Sequence, residues 1–293
     1  MRDVLLRGPE VERALAAALK SPAAARPLYA ELVKHSRLPG TRPNLELAEA
    51  FAASCASIGK PSDLLVTTMV TMDADEAPGA TELEFLPICG VYAAGFRAAQ
   101  DPATKKMLPL LHDAAEDLRF RVRDAVVVAL AKVGAVRGDA LVREVGSWMD
   151  GFFHSAAVLR ALVTAGWLNQ VNDADAVAAL LLAAFRTLDG AARSASRYPG
   201  FKALVEAFRA APIPLAIRFG LPILNVLESL ASCKDPYLRN LILESIEGHK
   251  LDGRFPEATT AIRAAFKSTA KPVRDPRSLP GPTRRRGASR RKF

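Results

Sequence analysis

Two stretches of this chain repeat each other in order and in spacing, and an internal repeat constrains a fold more than any single motif does. In KMLPLLHDAAEDLRFRVRDAVVVALAKVG, residues 106–134, a first helical pattern ends at Asp117, and a second follows with Val122, Ala125, Val126, Ala129, Leu130 and Val133 on one face. In GLPILNVLESLASCKDPYLRNLILESIEG, residues 220–248, a helical pattern ends before Asp235, and Leu238, Leu241, Ile242, Ser245 and Ile246 follow at the same offsets. Each second helix carries an arginine directly after its first apolar residue, Arg123 and Arg239. Looser copies turn at Asp150 and Asp189. A hairpin of two amphipathic helices cannot bury its apolar faces alone, so such units are expected to stack on one another.

The rest of the chain agrees with an all-α class. Segments with i, i+3, i+4, i+7 apolar spacing are expected near 9–20, 22–36, 43–58, 61–72, 81–100, 102–116, 119–133, 137–149, 152–165, 173–188, 199–211, 214–232, 236–248 and 255–268. Pro, Gly and Asp fall between them. Hydrophobic residues make up 50% and charged residues 24%, which excludes global disorder, while aromatics at 6% and scarce β-branched alternation disfavour strands. The longest apolar run, AVAALLLAAF at 176–185, is about half of the roughly 20 residues a membrane span needs. The charged N-terminus has no signal-peptide pattern. Cys55, Cys89 and Cys233 lie far apart and do not suggest a disulfide framework. A soluble, cytoplasmic protein is the expectation.

At 106–134, and more loosely at 220–248, the pattern resembles HEAT repeats: LPxLL, an Asp-containing turn, then VRxxAxxAL. The resemblance extends over about 81–266 and implies a HEAT-like α-solenoid, an α-α superhelix with inner and outer helix layers, for residues 1–266. It also implies that Arg123 bonds the turn aspartate of an adjacent repeat, with Asp117 and Asp235 as turn and capping residues and Arg239 the counterpart of Arg123. A bacterial family of alkylpurine DNA glycosylases is built on HEAT-like repeats with tryptophans and an aspartate on a basic concave face. Trp148, Asp150 and Trp167, with Arg160 between them, are superficially similar to that set, although the spacing departs from the family's.

The net charge of +9 sits wholly in the last 27 residues, where ten basic residues face one acid, Asp275. Residues 267–293 are therefore expected to form a disordered basic tail, with Arg284, Arg285, Arg286, Arg290, Arg291 and Lys292 able to neutralise phosphates. Within the neutral body, Arg119 and Arg121 lie at a helix start, where the dipole does nothing for a cation, so a ligand would give them a purpose. His35, His112, His154 and His249 are isolated in sequence, which predicts no metal site, and no nucleotide or hydrolase motif implies a cofactor. The function these features favour is a non-enzymatic scaffold whose concave face binds a protein partner and whose tail adds affinity for nucleic acid or an acidic surface. The alternative is a HEAT-like DNA-binding or DNA-repair protein.

Overall fold

A computed structural model describes residues 9–100, 105–247 and 249–269. Among these residues the secondary structure is helical, with no strand. The α-helices are α1 (Pro9–Ala18), α2 (Arg26–Lys34), α3 (Leu45–Ile58), α4 (Asp63–Val70), α5 (Phe85–Gln100), α6 (Met107–Ala115), α7 (Phe120–Arg137), α8 (Asp139–Glu144) and α9 (Phe152–Leu162). They continue with α10 (Ala165–Leu168), α11 (Ala174–Asp189), α12 (Pro199–Ala210), α13 (Pro212–Phe219), α14 (Leu221–Ser229), α15 (Pro236–Ile246), α16 (His249–Arg254) and α17 (Pro256–Ser268). No helix among the described residues is long and apolar enough to cross a membrane.

Packing follows two files. In one, α3, α5, α7, α9, α12 and α15 each lie against the next; in the other, α4 meets α6, and α8, α11, α14 and α17 follow in contact. The files are joined by neighbours in sequence, such as α5 on α6, α6 on α7 and α11 on α12. A single hydrophobic cluster runs from Leu15 to Phe266 along the seam. Helix α5 is buried over nearly its whole length, which its uninterrupted small and apolar residues FLPICGVYAAGF allow. The three cysteines are buried and free; burial pushes the Cys55 thiol up to about 12 and Cys89 well above its ordinary range, so neither is a nucleophile in the folded chain.

Two of the boundaries that differ from expectation do so at a glycine. Helix α7 does not stop near 133 but passes through Gly134 to Arg137. There the indole of Trp167 lies so close that a Cβ on Gly134 would stand 2.2 Å from its ring. The glycine is a seat for the tryptophan, and the chain breaks instead at Gly138, whose φ is 48°. The helix expected over 214–232 is two helices, because Gly220 takes φ 69° and Pro222 follows in the first turn of α14. At the other end α17 stops at Ser268, where the helical pattern places its end. The rest of the basic segment, including Arg284, Arg285, Arg286, Arg290, Arg291 and Lys292, lies outside the described residues.

Candidate functional site

The arginines that open α7 are engaged within the fold. Arg119, only 5% exposed, sits in the N-cap position, and its side chain turns back under the turn. A guanidinium has five N–H donors, and here all are used. Nε and Nη2 reach the two carboxylate oxygens of Asp117 at 2.8 and 2.6 Å; Nη1 reaches the carbonyls of Asp73 and Ala77 at 3.0 and 2.8 Å; Nη2 also meets the Met72 carbonyl at 2.6 Å. The loop after α4 is thereby fastened to the start of α7. Arg121 pairs at 2.9 Å with Glu84, whose carboxylate is buried and also accepts the Ala80 amide. Neither group is left for an external anion.

Arg123 departs from its expected role. It does not reach the aspartate of an adjacent unit; it donates to the carbonyls of Asp117 and Leu118 in its own turn and covers the ring of Phe153, at the start of α9, at 4.4 Å. Burial pulls its guanidinium below the ordinary value, opposed by Asp124 and Asp117. Arg239 does the same work in the later unit, donating to the carbonyls of Ala231, Cys233 and Phe266 and covering the Phe266 ring. Asp235 caps α15 as expected, accepting the Tyr237 amide at 2.8 Å. Asp117 accepts the Arg119 amide at 2.7 Å but is not the N-cap. Arg160 is an exposed partner of Asp124 at 2.8 Å.

The aromatic set splits. Trp167 is fully buried, its Nε1 donating to the Gly138 carbonyl at 3.3 Å. Trp148 and Asp150 instead border a cleft of about 580 Å³ that is also lined by Leu108, His112, Arg137 and Glu144. Asp150 is not a cap: Gly151 holds the N-cap position of α9, and the Asp150 carboxylate faces two histidines.

That trio was not expected. Contact between α6 and α9 stacks the His112 and His154 rings at 3.8 Å and 15°, and the Trp148 ring stands edge-on to His112 at 5.0 Å. Asp150 Oδ2 lies 3.0 Å from His112 Nε2, and Oδ1 lies 2.9 Å from His154 Nδ1. One ligand atom from each of the three residues falls within 4.8 Å of the others, so the reading of the histidines as isolated is corrected. His112 and His154 are 42 positions apart, and only the packing of α6 on α9 joins them. The available signal was Asp150 and His154 at i, i+4, a carboxylate and an imidazole on one helical turn. Comparison with family models, with curated proteins and with solved structures gives no match.

Proposed function

We propose that this chain is a helical-repeat docking protein of the HEAT-like solenoid type, working in the cytoplasm, and that it binds a partner protein along one edge of the α3–α15 file. The observation that carries this reading is a row of uncovered apolar side chains at the starts of successive helices. Leu83 precedes α5, Leu118 and Phe120 open α7, Tyr198 precedes α12 and Tyr237 opens α15, with exposures of 40, 86, 56, 52 and 52%. Neighbouring starts touch. Arg121 reaches Glu84, Arg123 covers Phe153, and Phe153 meets Tyr198 at 6.0 Å. Helices α12 and α15 run the same way, Arg209 pairing with Glu244 near their ends at 3.5 Å. Between α7, α9 and α12 a groove of about 190 Å³ is lined by Phe120, Phe153, Pro199 and Ala203, with Arg123 and Arg160 at its sides.

Exposed apolar patches rimmed by charge are typical of protein interfaces, and aromatic anchors dominate their energetics. The fitting partner is a protein segment with an aliphatic or aromatic anchor for the groove, whose Arg160 is already paired with Asp124. The basic segment beyond residue 269 adds non-specific attraction for acidic surfaces or nucleic acid, multiplying a weaker contact. A repair glycosylase has less support. Trp167 is inside the core, Trp148 is 6% exposed, and Arg119 and Arg121 have internal partners.

A photo-crosslinking residue placed at Phe120 or Tyr198 of the full chain in cells should yield a discrete protein adduct. The same residue at Leu64 or Leu221, equally exposed on the other file, should not. Adducts to nucleic acid alone, or none from either edge position, would contradict the docking reading.

A further inference from the structure

We infer that His112, Asp150 and His154 form a binding site for a divalent transition-metal ion, with an open coordination position facing the cleft. The case begins with where protons can be. His154 Nε2 lies 3.1 Å from the His112 carbonyl oxygen, which can only accept, so Nε2 carries the hydrogen. In the neutral ring Nδ1 is then a bare lone pair. It is buried and makes no hydrogen bond, although Asp150 Oδ1 lies 2.9 Å away. Two acceptors at that distance repel unless a cation lies between or beside them. A ring whose one nitrogen donates its N–H to a backbone carbonyl, leaving the other as a free lone pair, is the tautomer and orientation that metal-binding histidines adopt.

A proton on His154 is the other way to supply the charge, and the geometry argues against it as the whole answer. The Nδ1 direction misses Asp150, so an N–H there would be buried without an acceptor. One metal ion would offset the repulsion and give the buried Nδ1 a partner. Tetrahedral ligands at about 2.0–2.2 Å from zinc stand roughly 3.4 Å apart, and the three donor atoms lie within 4.8 Å of each other. Closing the shell requires the two stacked rings to turn apart so that both lone pairs meet at one ion.

Gly151 is the second, independent sign. Its backbone, at φ −145° and ψ 160°, is extended and open to any residue, so conformation does not require glycine there. Space does. A Cβ would stand 2.7 Å from His154 Nδ1 and 3.1 Å from Glu116 Oε1, inside the volume that the lone pair faces. The missing side chain keeps that nitrogen approachable.

Two nitrogens and one carboxylate oxygen suit zinc and its neighbours in the first transition row rather than magnesium or calcium, which prefer all-oxygen shells. Three protein ligands leave a fourth position. Because His112 and Asp150 both border the cleft, that position is accessible to water or a small anion.

The test uses the full chain, stripped with chelator and titrated with Co²⁺ and Zn²⁺. Trp148 is the built-in reporter, its ring 5.0 Å from that of His112. Co²⁺ should quench its fluorescence saturably at one equivalent, develop visible d–d absorption, and be displaced by Zn²⁺. Trp148→Phe should abolish most of the quench while the absorption persists. Asp150→Asn and Gly151→Ala should each weaken Co²⁺ binding by about 10–100-fold, with the helical circular dichroism of the metal-free proteins unchanged. His112→Ala should do the same or more. Wild type that takes up no Co²⁺ at micromolar concentration would overturn the assignment, as would Asp150→Asn and His112→Ala that bind as wild type does.

Discussion

The turns into α7 and α15 carry the same sequence pattern but are built differently. Aligned on Val122 and Leu238, the carbonyls of Asp117 and Cys233 fall in register, and each receives Nη1 of the following arginine, Arg123 or Arg239. That device is shared. The cap is not: where Asp235 accepts an amide at the start of α15, the matching position before α7 is Arg119. A cation gains nothing from a helix N-terminus, so something else must hold it there. What holds it is the loop after α4, whose three carbonyls Arg119 collects. One helix is capped by an aspartate of its own turn, and the other is joined at the cap position to a loop more than 40 residues earlier.

The largest expected effect follows from that difference. Arg119→Met leaves the Asp117 carboxylate without its charged partner and takes the guanidinium donor from three carbonyls, and should lower unfolding free energy by about 3–5 kcal/mol in urea denaturation. Asp117→Ala strands the buried guanidinium and should cost about 3 kcal/mol, whereas Asp235→Ala removes a cap and should cost about 1 kcal/mol. Equal costs would erase the contrast between the turns. Arg123→Met and Arg239→Met should be alike, each about 2 kcal/mol for charged hydrogen bonds to carbonyls. A large gap between them would mean that the shared device is not shared in energy. Smallest is Arg160→Met, an exposed pair with Asp124, expected to shift stability by no more than about 0.5 kcal/mol in the same assay.

The helical class was legible because apolar spacing is local information. The capping role of Asp235 was legible for the same reason, with Pro236 marking the first turn. Arg119 was not. Nothing local distinguishes an arginine at a helix start that binds an anion from one that turns inward, because its acceptors are backbone carbonyls 42 to 47 positions away. Glu84 lies just before α5, and its burial beneath Arg121 depends on how α5 meets α7. The histidine pair failed on the same ground: neither His112 nor His154 has a second imidazole within one helical turn, and their stacking exists only where α6 crosses α9. Gly134 misled in the opposite sense, a breaker by composition that serves as a contact surface for Trp167.

The most direct test is to exchange the caps. Arg119→Asp gives α7 the residue type that caps α15, and aspartate is by itself the better residue at that position by about 1 kcal/mol or more. If Arg119 ties the loop after α4 to the helix, urea unfolding of this variant should show a loss of several kcal/mol despite the improved cap. Stability equal to wild type, or above it, would contradict the account.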